Sequence, residues 1–149
     1  MKLLVPKFYT IFTKNTSMEL GNWNSKYSVN NAIIDDQHKR LLNILYKLER
    51  LVSKGGDKEK MVGLLSNMSD YALEHFKSEE QYMQRIGYPK LEKHKELHSM
   101  YTLEVLKYTL SHLDDAPENP REVLNFLSHW WTDHILKVDM DYSKHANLN

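Results

Sequence analysis

The sequence predicts an all-α protein, an antiparallel up-down-up-down four-helix bundle preceded by an N-terminal extension. Three observations predict it. Four long segments carry apolar residues at helical spacing. The breaks between them, Gly55-Gly56, Gly87-Tyr88-Pro89 and the Asp114–Pro120 run, are short enough to turn each helix back on the one before. The histidines and acids of those segments then collect at one end of the bundle.

The elements follow in order from start and stop signals. Residues 1–35 form the extension, and residues 36–149 the bundle. Asp35-Asp36 is expected to open the first helix, whose apolar run Leu41, Leu45, Leu48, Val52 stops at Gly55-Gly56. Asp57 starts the second, which carries Met61, Leu65, Met68 and Ala72 and ends near Gly87 and Pro89. The third runs from Lys90 to about Asp115, with Leu91, Tyr101, Val105 and Tyr108 on one stripe. The fourth starts at Pro120, whose fixed φ suits a first helical position, and runs to about Lys137 through Val123, Leu127 and Trp130.

On that frame His38 opens helix one, His75 and Glu79 lie late in helix two, His94 and His98 open helix three, and His134 and Asp139 close helix four. The opposite turns are about 24 to 30 Å away at the helical rise, so the seven residues share one layer. His75/Glu79 and His94/His98 are i,i+4 pairs that continue the apolar stripes, and His134 continues the stripe of helix four, so these five point inward. Asp139 does not follow. Five residues of ideal α-helix turn it about 140° from His134. Either the helix ends before Asp139, or a π-type turn brings i and i+5 together.

A single HxxxH is commonly a surface pair or an incidental zinc site, a lone histidine such as His38 is commonly capped or solvent-facing, and an acid beside Lys77 is commonly solvated. Five imidazoles and two carboxylates in one core layer are different, because buried acids without a cation to pair them are costly. The layer therefore reads as a metal site. His112, at the far end of helix three, His129 and His145 read as structural or solvated. Phe76, Trp130, Trp131 and Ile135 flank the candidate ligands and would form a dry wall that is also ordinary core packing.

The segments IDDQHKRL (Ile34 to Leu41), HFKSEE (His75 to Glu80), HKELH (His94 to His98) and HILKVDMDY (His134 to Tyr142) resemble the hemerythrin family, over roughly residues 20–145. The combined pattern H…HxxxE…HxxxH…HxxxxD is highly specific. The resemblance implies an arm from Gly21 to Asn31 that packs Trp23 and Tyr27 along the bundle. It further implies two non-haem iron ions held by His38, His75, Glu79, His94, His98, His134 and Asp139, bridged by the carboxylates and a hydroxide or oxo group, with O2 as the ligand. Five imidazoles, two bridging carboxylates and that bridge leave one position open on two six-coordinate irons. Imidazole suits iron, and the Glu-x-x-His motif of ferritin-like oxidases does not occur in the chain. Reversible O2 binding for storage, delivery or sensing is therefore expected rather than enzyme activity. The alternatives are a di-iron enzyme acting on peroxide or nitric oxide, and an iron-handling regulatory module. Phe76, Trp130, Trp131 and Ile135 would wall the oxygen pocket. Trp131 departs from the family, which commonly has leucine after the first Trp of this segment.

Composition narrows the partners. The chain has 149 residues, 20 basic and 20 acidic, and no net charge, which indicates neither nucleic acid nor a membrane surface. No apolar run approaches the roughly 18 residues of a membrane span, and the opening MKLLVPKF is too short for a signal peptide. A cytoplasmic protein is expected. The absence of cysteine excludes disulfides. Residues 1–17 carry the apolar run Phe8-Tyr9-Thr10-Ile11-Phe12, which is expected to pack on the bundle or meet another chain.

Overall fold

A computed structural model describes residues 22–114 and 117–148; the expectation for residues 1–17 lies outside them. Every secondary-structure element among the described residues is helical. A short 3-10 turn, Ser25–Tyr27, leads into α1 (Ala32–Ser53), α2 (Lys58–Arg85), α3 (Leu91–Leu113) and α4 (Pro120–Asp133), which continues through a π-helical segment, His134–Val138, into α5 (Asp139–Asn147). His38 near the start of α1, His75 late in α2, His94 early in α3 and His134 directly after α4 meet at one level, so successive helices alternate in direction, as expected. None of the described helices is long and apolar enough to cross a membrane.

Two boundaries differ from expectation. Helix α1 begins at Ala32 because Asn31, not Asp35 or Asp36, caps it: Asn31 Oδ1 accepts from the amides of Ile33 and Ile34. Asp35 serves the arm instead. Its carboxylate accepts from the Val29 amide at 2.9 Å and the Ser28 hydroxyl at 2.6 Å, and Asn30 takes a left-handed φ of 58° to make that bend. At the other end, the last rod does not stop near Lys137 but runs to Asn147.

The remaining limits match their physical causes. Asp57 Oδ1 accepts from the Lys60 amide to cap α2, and Asn119 Oδ1 accepts from the Arg121 amide ahead of Pro120 in α4. Gly56, at φ 67°, sits where a Cβ would lie 2.9 Å from the Pro120 ring, so this turn can hug α4 only with glycine.

Leu41, Leu45, Leu48, Met61, Leu65, Met68, Val105, Val123 and Leu127 fill the bundle interior and are essentially inaccessible. Each such side chain contributes roughly 1.5–3 kcal/mol of burial. A second cluster, Val29, Ile34, Met83, Tyr88 and Tyr142, closes the end at which the histidines lie. There Ser143 Oγ donates to the Val29 carbonyl, and His145 contacts the Ile86 carbonyl at 3.1 Å through Nε2, tying α5 to the arm and to the α2–α3 turn.

Candidate metal centre

The helical frame brings all seven expected residues into one buried cluster, each at most 3 % exposed. His75 and Glu79 sit one turn apart on the inner face of α2, and His94 and His98 one turn apart on that of α3. His134 and Asp139 meet because the π segment adds one residue to the turn: the Asp139 amide donates to the His134 carbonyl, an i to i+5 bond. The Oδ1 of Asp139 then lies 3.1 Å from His134 Nε2.

The ligand atoms fall into two sets, Glu79 with His94, His98 and His134, and Glu79 with His38, His75 and Asp139. Glu79 belongs to both. Its Oε2 lies 3.0 Å from His98 Nε2, 3.4 Å from His94 Nε2 and 3.6 Å from His75 Nε2. Asp139 also spans the sets, with Oδ1 at 3.3 Å from His94 Nε2 and Oδ2 at 3.2 Å from His38 Nε2. Three imidazoles face one set and two face the other.

The cluster is unsatisfied as protein alone. Glu79 Oε2 and both Asp139 oxygens are buried without a hydrogen bond, and the Nε2 atoms of His38 and His75 point at each other across 3.2 Å. Buried carboxylates in that condition need a cation. The residues therefore fit a pair of metal ions.

Electrostatics reflect the same crowding. Burial, only partly offset by Glu79, pushes His75 down to about 3. Burial also opposes charge on His134, yet Asp139 and Glu79 raise it to about 9. Burial and Glu79 favour protonation of Asp139, but the surrounding imidazoles, His134 foremost, bring its carboxyl well below the usual range.

Three supporting residues were not singled out by spacing, and a fourth, Tyr101, stands in the sequence only as part of the apolar stripe of helix three. Gln37 Oε1 accepts from His75 Nδ1 at 3.1 Å while its amide donates to Ser78 Oγ, and Glu80 accepts from His98 Nδ1 at 2.8 Å. These partners fix the rings so that Nε2 faces inward. Tyr142, fully buried, donates to Glu79 Oε1 at 2.6 Å, so the layer contains a hydroxyl as well as an aromatic wall. Tyr101 accepts from Trp131 Nε1 at 2.9 Å. All but Tyr101 lie inside the quoted segments, one to three residues from a candidate ligand, and that proximity was their only signal.

The expected wall residues all pack here, though not equally. Phe76 stacks on His98 with centroids 3.8 Å apart, and Trp130 stacks on His134 at 4.2 Å. Trp130 is only partly buried, whereas Trp131 and Ile135 are inaccessible; Trp131, not Trp130, continues the core stripe of α4. Trp131 lies 5.8 Å from His75. Of the other histidines, His112 is buried, with Nδ1 2.9 Å from the Tyr108 carbonyl. His129 is exposed, with Nδ1 2.7 Å from the Asn125 carbonyl.

A helical bundle whose core ends in a shared histidine and carboxylate cluster defines a metal-binding class of protein. The sequence model of the Hemerythrin HHE cation binding domain matches residues 29–146, and the chain belongs to the hemerythrin family. It is 31 % identical over 127 residues to a bacteriohemerythrin of Clostridium acetobutylicum, covering 80 % of this chain and 96 % of that one. To a bacteriohemerythrin of Stenotrophomonas maltophilia it is 30 % identical over 135 residues, covering 89 % and 86 %. Among solved structures, a wild-type hemerythrin superposes with a TM-score of 0.74 at 29 % identity, covering 84 % of this chain and 96 % of that one.

Proposed function

We propose that the cluster holds two iron ions through His38, His75, Glu79, His94, His98, His134 and Asp139, and that the protein binds O2 reversibly, without enzymatic turnover. The observation that carries the reading is the pair of shared carboxylates, with three imidazoles on one side and two on the other. The side with fewer donors, that of His38 and His75, has room for an external ligand. A pair of ferrous ions would supply the electrons and the vacant position that O2 requires.

This chain's residues supply the rest. Gln37 and Glu80 hold His75 and His98 in one orientation, and Tyr142 fixes Glu79 from its Oε1 side. Phe76 and Trp131 border His75 and exclude water from that side, while Trp130 covers His134 and Ile135 fills the core beside it. Only two of the ligands are anionic, which disfavours the high-valent iron of carboxylate-rich oxidases and favours release of O2 intact.

Elemental analysis of the purified chain should give two irons, and the spectrum of the reduced protein should change in air and return under argon. One metal per chain, or mainly zinc, would contradict the site. Rapid turnover of peroxide or nitric oxide without a stable oxygenated form would instead favour a di-iron enzyme, for which the buried Tyr142 hydroxyl is a proton donor within the layer.

A further inference from the structure

Helix α3 is apolar on two opposite sides. Its inner side carries His94, His98, Tyr101, Val105 and His112, all buried. Its outer side carries Met100, Leu103, Leu106, Leu110 and Leu113, which are 50–67 % exposed. At 100° per residue the two sets are centred roughly 160° apart. Five of the nine large apolar side chains that stand exposed among the described residues lie on this one stripe.

Scattered exposed leucines need no explanation, but a contiguous row does. The row amounts to a patch on the order of several hundred Å², at the upper limit for an ordinary monomer. Its spacing from Leu103 is three, four, three, the a/d repeat with which one helix seats against another. The stretch from Ser99 to Leu113 holds only two charged side chains, Glu104 and Lys107, 3.3 Å apart in an ion pair. A charge-poor centre of this kind is what a protein interface presents.

We propose that the occupant of this face is a second copy of the chain, packed with its α3 antiparallel to the first about a two-fold axis near Leu106. Three features favour a copy over an unrelated partner. Reversed about that axis the row matches itself to within one residue, about 1.5 Å: Leu106 lies beside its equivalent, Leu103 meets the partner's Leu110, and Met100 meets the partner's Leu113. The same axis sets Lys107 beside the partner's Glu104, so the two charges that the stretch from Ser99 to Leu113 carries are complementary rather than repulsive. The patch is also of the scale required, since a stable pairing buries about 800 Å² on each partner. Leu103 lines the groove of about 580 Å³ between α2 and α3 whose walls include Phe76 and His98, so pairing places the second chain at the mouth of that groove.

Light scattering of the iron-loaded full chain over a range of micromolar concentrations should give twice the 17.7 kDa of one chain. Leu106→Glu should return it to a single mass with iron content and helical circular dichroism unchanged. Because the chain has no cysteine, Leu106→Cys provides a second measurement that does not depend on the charged variant folding. It should form an intermolecular disulfide on mild oxidation, while Glu49→Cys, exposed on α1, should not. A wild type that remains monomeric overturns the proposal, including the case in which residues 1–17 of the same chain cover the row. A dimer that survives Leu106→Glu and is not trapped by Leu106→Cys overturns it equally, because its interface is elsewhere.

Discussion

The two ends of this bundle are held together by different physics. Away from the cluster, Leu45, Leu48, Met61, Leu65, Val105 and Val123 close the interior with apolar contacts that need nothing from outside the chain. At the other end the same four helices converge on seven titratable groups, of which three carboxylate oxygens are buried without partners. One end is closed by apolar packing, with His112 Nε2 its single buried side-chain polar atom lacking a hydrogen bond among the described residues, while the other end presents a cluster that a cation would complete. The difference predicts that stability and metal binding can be damaged separately.

The largest effect should come from Glu79→Ala. Both ligand sets use Glu79, so its loss should abolish iron retention, leave the remaining ligands buried without a cation and lower the melting temperature. Leu65→Ala, fourteen residues and about 21 Å along α2 from Glu79, should destabilise the fold by about 2–5 kcal/mol while iron still loads at the wild-type ratio. Metal analysis beside thermal unfolding of both variants checks the separation. If Leu65→Ala lost iron as completely as Glu79→Ala, the two ends would not be independent.

Legibility in the sequence divides along the same line. The turns at Gly55-Gly56 and Gly87, the Asp57 cap and Pro120 announce themselves by chemistry that acts over a few residues, and the helix limits there agree with the structure. The seven clustered residues were legible because i,i+4 spacing and stripe continuity are local to each helix. Asp139 was legible only as an alternative, and the π segment resolved it. What stayed hidden depends on distant partners. Asp35 looks like a helix start but is held by Val29 and Ser28, and Tyr142 acquires its role only when α5 lies against α2. The outer row of α3 was obscured for another reason: two apolar stripes on opposite sides of one helix weaken the periodicity by which either would be recognised.

A second, intermediate effect concerns acid and the metal-free chain. Folded His75 is held down to about 3 against an ordinary 6.5, so between those values the unfolded chain binds the extra proton and stability falls as pH falls. Glu79 and Asp139, both lowered, act in the same sense at still lower pH. His134, raised to about 9, works the other way: its contribution is full below 6.5 and is lost as pH rises through about 9. The stripped protein should therefore be most stable slightly below neutrality and lose melting temperature on both sides. Protons also compete for the imidazole lone pairs, so the loaded protein should release iron across the acid limb. Melting curves from pH 4 to 9, with and without iron, test this; a stripped protein equally stable throughout would mean that the cluster relaxes when empty.

The smallest effect, and the one that separates wall from core, is expected at Trp131. Its side chain is inaccessible, lies 5.8 Å from both His75 and Phe76, and gives its indole proton to Tyr101. It thus joins the apolar bundle to the two-imidazole side of the cluster, where an external ligand would enter. Trp131→Ala opens a cavity beside His75, leaves the Tyr101 hydroxyl without its donor and admits water, so the oxygenated form should decay several-fold faster than in wild type. Trp131→Leu fills part of that space with a smaller apolar side chain, and its decay should fall between the two. A fivefold change corresponds to only about 1 kcal/mol in the barrier, so the oxygenated spectrum of all three proteins must be followed under identical conditions, with iron content measured alongside. Equal decay rates at equal iron content would assign Trp131 to the apolar end alone and leave Phe76, Trp130 and Ile135 to form the wall. Decay in the order Ala, Leu, wild type would show that the core packing of one end also keeps the other end dry.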